Sequence, residues 1–243
     1  MPAARSGGNS RSTLVACAAT AAWLSCAGIA LADAGELPSA ARTAFGFVRI
    51  DAAFGGRSGS RLVGAGSRET YRAADALIDL DVSRFPWERL GFDLRTTFSA
   101  QSLGGRASAA GGENGLYFAM RGLLDVGVVT WGGGAPGGLV VGLGAGFDFG
   151  DRLWFATKGR AFTVAMIRAR HWLTADWHVQ ASWMYVPSTS AALKVREHDF
   201  ELAVGWKALQ VGARLDLARA TGGDPVRDYL DTHFAVFVGG CFF

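Results

Sequence analysis

The residues of this chain that can do chemistry are acids and arginines spaced two apart. Arg49 and Asp51, Asp79 and Asp81, Asp93 and Arg95, and Arg214 and Asp216 all follow this spacing, with Asp75, Arg121, Asp125, Asp148 and Asp231 in similar surroundings. A spacing of two puts both charges on one face of a β-strand, since side chains alternate there. Carboxylates and guanidiniums sharing a face make either an ion-pair network or the lining of a charged conduit. Histidine offers a different chemistry. Asp231 and His233 share one face, and His178, Gln180 and Ser182 share another. A histidine oriented by a carboxylate, beside a nucleophile or an activated water, is the apparatus of a hydrolase. The more ordinary role for such groups is hydrogen bonding in a polar interior. No Cys/His spacing suits zinc, and no residue is assigned a catalytic, cofactor-binding or metal-binding role.

Those residues need elements to carry them. The chain has 243 residues, 50% hydrophobic and 19% charged, which excludes a disordered polymer. Its 34 glycines make poor helix composition. Arg5 and Arg11 precede an uncharged run from Ser12 to Ala32 that ends Ala30-Leu31-Ala32. This is the layout of a secretory signal peptide cleaved after Ala32, leaving Asp33 first. The competing reading is an uncleaved membrane anchor. Removal of 1–32 leaves 22 basic residues against 21 acids, and no basic patch suggests nucleic acid. It also leaves Cys241 as a lone cysteine, so a disulfide scaffold is excluded.

Period-two alternation runs through almost all of the remainder. Ala74, Ala76, Ile78, Leu80 and Val82 alternate with Asp75, Asp79 and Asp81; Leu209, Val211, Ala213, Leu215 and Leu217 alternate with Gln210, Gly212, Arg214 and Asp216. The pattern predicts ten strands, near 43–54, 70–83, 89–102, 115–131, 138–150, 160–172, 177–186, 196–206, 209–219 and 228–243. Most reach the roughly 9–11 residues that a tilted strand needs to cross a bilayer. Longer segments such as 55–69, 103–114 and 220–227 follow the odd strands, and tight turns follow the even ones. Val126 to Phe147 is uncharged, but Gly132, Gly133, Gly134 and Pro136 break it into two strands and a turn. The sixth strand mixes Arg168 and Arg170 with apolar residues, which predicts a bulge or shifted register. Trp87, Trp131, Trp172, Trp177 and Trp206 lie at or beside the tight turns, with Trp154 and Trp183 toward the other end. Indole rings favour the headgroup level, so the five are expected to form a girdle at the short-turn, periplasmic side.

With its export signal, even number of alternating strands and terminal Cys241-Phe242-Phe243, the chain resembles the small outer-membrane β-barrel proteins of Gram-negative bacteria. That resemblance implies an all-β, antiparallel up-and-down transmembrane barrel of ten strands, with eight as the alternative and both termini periplasmic. Residues 33–42 become a short periplasmic segment and 43–243 the barrel. It also implies that Phe243 is the terminal aromatic read by the barrel-assembly machinery, and that the surroundings are outer-membrane lipid and lipopolysaccharide.

In this register the lumen collects Arg49, Asp51, Asp79, Asp93, Arg95, Arg121, Asp125, Arg214 and Asp216, with Asp75, Asp81, Asp148 and Asp231. Buried ions must be paired or hydrated. The expected role is a structural or surface-interacting barrel filled by its own side chains, with Arg95 and Arg121 each holding carboxylates across the lumen. A small cation-preferring pore is the first alternative, because acids are in excess; an outer-membrane hydrolase is the second. A soluble lipocalin-like barrel would keep the alternation but reverse the faces.

Overall fold

A computed structural model describes residues 45–63, 67–87, 89–104, 114–131, 137–152, 155–187, 193–222 and 227–243. The expected signal peptide and the segment 33–42 lie outside them, as do Trp154 and 105–113. Ten strands follow in chain order: β1 (Phe47–Val63), β2 (Ser67–Arg84), β3 (Leu90–Gly104), β4 (Asn114–Trp131), β5 (Gly137–Arg152), β6 (Phe155–Trp172), β7 (Trp177–Val186), β8 (Leu193–Trp206), β9 (Leu209–Gly222) and β10 (Arg227–Phe242). Each pairs antiparallel with its sequence neighbours, and β1 pairs with β10 to close the ring. Val126–Phe147 is divided between β4 and β5, and among the described residues no helix is long and apolar enough to cross a membrane.

The faces are sorted inside out relative to a water-soluble barrel. Phe54, Ile78, Leu124, Leu143, Leu202 and Phe234 point outward and stand exposed, while Arg49, Asp51, Asp79, Asp93 and Asp125 are buried inside. A continuous apolar exterior of this size is a membrane-facing surface. The lipocalin-like arrangement has the opposite polarity.

Several strands run further than their composition suggests. The segment 55–69, expected as a loop because of its Gly and Ser content, is mostly paired strand: Gly55 to Val63 stay in register with Asp75 to Ser67. The cause is steric. A Cβ on Gly55 would collide with the His233 ring and one on Gly59 with the Tyr71 phenol, so these inward glycines make room for large side chains on neighbouring strands.

Two register shifts adjust the pattern. One lies where β5 meets β6, between Asp148 and Gly150, opposite the start of the sixth strand. The other, between Gly127 and Val129 of β4, is a bulge that changes which face the following residues present. At the short-turn end, β8 and β9 join through Lys207-Ala208, where Lys207 takes a φ of 51°. Its N–H donates to the Asp176 carbonyl at 2.6 Å, and the Cys241 N–H donates to the Ala208 carbonyl at 2.7 Å, tying these turns and the C-terminus together.

Candidate functional site

Inward-facing arginines from β1, β3 and β9 converge on Glu201 in β8. Nη1 and Nη2 of Arg49 both donate to its carboxylate, as do Arg95 Nη2 at 3.2 Å and Arg214 Nη2 at 2.9 Å. Arg214 Nη1 also pairs with Asp79 at 2.5 Å, Arg95 lies 3.6 Å from the same carboxylate, and Thr97 Oγ1 donates to it. Arg49 extends the cluster to Asp51 at 2.9 Å and Asp81 at 3.4 Å. Three guanidiniums sharing one carboxylate are tolerable because further acids stand behind each of them.

A second cluster is built on Arg168 of β6. It donates to Asp93 and, at 2.7 Å, to Ser83, and it lies 3.6 Å from Asp125. Toward the long-loop end, Arg57 bridges Asp75 at 2.8 Å and Asp231 at 2.9 Å, and Tyr71 donates to Asp231. Arg160 joins Asp148 to Glu197.

Of the thirteen charges expected in the lumen, all face it and twelve have an ionic contact there. Asp216 meets His233 at 2.6 Å. Arg121 is the exception. Among the described residues it has no ion pair within 4.0 Å and its Nε finds no hydrogen-bond acceptor; its electrostatic interaction is with Asp199. It borders a cavity of about 30 Å³ shared with Thr97, Ser99 and Tyr117, roughly the volume of one water. The expectation that Arg121 holds carboxylates across the lumen is therefore corrected.

Sequence reasoning missed Glu201, Arg168, Arg57 and Glu197. It also missed that one wall of the lumen is apolar. Leu123, Val140, Phe162, Val164, Met166, Met184 and Val186 pack from β4 to β7, with Phe45 and Phe85 beneath them. Phe45 fits because Gly127 and Gly138 face it; a Cβ at either position would meet its ring.

The tryptophans divide by face. Trp87, Trp177 and Trp206 are exposed on the outside at the short-turn end, and Trp131 joins them because the β4 bulge turns it outward. Trp172 does not belong to this set. It faces inward, packed 4.8 Å from the His178 ring and 4.7 Å from Phe243, because it shares the inward parity of Arg168 and Arg170. Phe243 also touches His178 at 5.0 Å and lies under the Arg170 guanidinium at 4.7 Å.

His233 is engaged rather than poised. Asp231 does not orient His233; Asp216 and Asp75 do, one on each ring nitrogen, at 2.6 and 2.8 Å. A base needs one nitrogen free for the reacting proton, and here both are held. His178 leans over Gly205, whose missing Cβ gives it room, and is held by ring packing alone, since neither of its buried nitrogens has a hydrogen-bond partner among the described residues; Gln180 accepts from Arg170.

No family model matches the chain, and no curated protein matches it in sequence. Solved structures with similarity to it include the COG4313 outer membrane channel from Pseudomonas putida F1, 12% identical with a TM-score of 0.41 over 86% of this chain and 98% of that one. The translocator domain of the autotransporter NalP from Neisseria meningitidis is 12% identical, with a TM-score of 0.39 over 95% and 97%. The outer membrane protease OmpT from Escherichia coli is 9% identical, with a TM-score of 0.38 over 85% and 99%. The chain has the fold of an outer-membrane β-barrel. At these identities and scores, nothing of the channel, translocator or protease activities passes to it.

Proposed function

We propose that the chain is an outer-membrane barrel whose lumen is filled by its own side chains, serving as a structural or surface-interacting scaffold. The observation that carries this reading is the contact between Arg95 and Glu201, on strands five apart in a ring of ten, at 3.2 Å. Side chains from opposite walls that meet in hydrogen-bonding distance divide the lumen at that level, which supports a filled interior. Ten strands enclose little more than eight, and eight leave an interior that side chains just fill. Phe45, Phe85 and the apolar wall occupy a further part of the lumen.

The apolar exterior and the expected signal site at Ala30-Leu31-Ala32 support an outer-membrane location. Outer-membrane fractions should contain a protein beginning at Asp33, migrating faster on gels before heating than after. Full-length protein recovered from the inner membrane contradicts the reading. Liposomes carrying the purified barrel should not swell in isosmotic arabinose.

A cation-preferring pathway is the second reading, and one observation favours it. Both carboxylate oxygens of Asp51 and of Asp125 are buried and accept no hydrogen bond among the described residues, although each carboxylate lies near an arginine. Such oxygens attract water or small cations.

A further inference from the structure

Basic residues outside the barrel are unevenly placed. At the long-loop end, Arg68 and Arg72 of β2, Lys194 and Arg196 of β8 and Arg219 of β9 all stand on the outer face. Arg196 lies directly opposite Arg219 in the β8–β9 register. Arg219 pairs with Leu230, Leu230 with Ser60 and Ser60 with Thr70, so one row links these strands around the barrel, with Lys194 and Arg68 one step above it and Arg72 one step below. Asp228 is the one acid here among the residues whose side chains are described, and it is already shared by Arg68 and Arg219. Lys194, Arg196 and Arg72 have no ion pair among the described residues.

Two features mark this row as more than a solvated rim. Like charges directly opposite each other on neighbouring strands repel, so Arg196 and Arg219 call for an anion between them. Arg196 also sits at a defined height. Ten residue steps of β8 separate Arg196 from Trp206 at the short-turn end, which is about 33 Å along the strand and about 25 Å along the normal at a tilt of about 40°. That is the height of the apolar band of an outer-membrane barrel. Immediately below the row, on the outward face, lie Trp183, Tyr185 and His198, stacked on one another as an aromatic layer at the opposite interface.

We infer that this row is a docking surface for the phosphates of lipid A in the outer leaflet, with Arg196, Arg219 and Lys194 as the principal contacts and Leu217 and Leu230 against the acyl chains. Long basic side chains at the edge of the band reach the headgroup layer while their stems lie on apolar surface. Arginine binds phosphate oxygens in a bidentate fork, and two phosphates on one glycolipid match a row wider than a single residue. The inference rests on the proposed outer-membrane placement with the long-loop end facing out.

The test titrates the purified mature barrel in neutral detergent with diphosphoryl lipid A and reads bound lipid by native mass spectrometry. Its comparisons are the dephosphorylated glycolipid, phosphatidylglycerol and inorganic phosphate. The variant Lys194→Gln/Arg196→Gln/Arg219→Gln should bind diphosphoryl lipid A at least tenfold more weakly than the wild type, whereas Arg89→Gln/Lys207→Gln, at the other end, should bind like the wild type. If the triple variant does not fold, judged by heat-modifiable migration, Arg196→Gln and Arg219→Gln alone should each weaken binding at least threefold. Equal affinity of the folded variants for lipid A overturns the site. Equal binding of phosphatidylglycerol, or displacement of lipid A by millimolar inorganic phosphate, overturns lipid A as its occupant. An epitope inserted within 105–113 and probed on intact cells reports separately on orientation: an inaccessible epitope defeats the placement, and an accessible one with unaltered lipid binding in the variants defeats only the docking site.

Discussion

Arg95 Nη2 on β3 and Glu201 Oε2 on β8 are 3.2 Å apart, although their strands stand on opposite sides of the ring. The pair spans the barrel at the level where Arg49 and Arg214 also reach the same carboxylate. Replacing Glu201 by Gln keeps the shape and removes the charge, leaving three guanidiniums facing one another. Loss of one member of a buried ion pair typically costs about 3–5 kcal/mol. The unfolding midpoint in detergent should therefore fall by on the order of 10 °C. An unchanged midpoint contradicts the hub role.

Arg95 and Arg121 are expected to differ, although the sequence presents them alike. Arg95→Ala removes contacts to Glu201, Asp79 and Asp199. Arg121→Ala removes a guanidinium with no ion pair among the described residues, and should cost about 1 kcal/mol or less. Thermal melts of the two variants measure the difference; equal losses contradict the assignment of the network to Arg95.

Legibility in the sequence followed the contrast between the faces. Where one face was apolar and the other charged, as in Ala74–Ser83 and Leu209–Leu217, parity placed every side chain on its observed side. Glu197, Asp199 and Glu201 show the same alternation against His198, Phe200 and Leu202, so the hub is readable from parity. The sixth strand was harder for a physical reason. Its inward face carries Phe162, Val164 and Met166 before Arg168 and Arg170, since it crosses from the apolar wall into the charged zone. Polarity then no longer marks the inside. Proximity to a turn also misled for Trp172, because parity rather than height decides whether an indole meets lipid. Trp131 lies outside through a bulge at Val128 that alternation alone does not reveal.

Gly205 supplies a prediction about shape. A Cβ there would fall within the His178 ring, which is fully buried against Trp172 and Phe243. Gly205→Ala should destabilise the barrel by about 1–3 kcal/mol through overpacking. Adding His178→Ala should return part of that loss, a coupling that a double-mutant cycle measures directly. Additive losses contradict the steric account.

Phe243 is expected to act twice. As the terminal aromatic it should be needed for assembly, and as a ring against Trp172, His178 and Arg170 it should contribute to packing. Deleting Phe242 and Phe243 should leave degraded or aggregated chains in the periplasm. Phe243→Ala refolded from denaturant into detergent bypasses assembly, and should still melt lower than the wild type, by about 1–3 kcal/mol for a half-buried aromatic. A wild-type melting point after refolding limits the residue to assembly; normal cellular levels of the folded deletion remove the assembly role.

The proposed filling of the lumen is tested most directly by conductance. Purified wild-type protein inserted into planar bilayers should show little or no steady current at moderate voltage, because Arg95, Glu201, Arg49 and Arg214 meet across the interior. Glu201→Gln, which loosens that meeting point, should raise the frequency of brief openings above the wild-type level. A stable, cation-selective open state in the wild-type barrel contradicts the scaffold reading and makes the chain a pore.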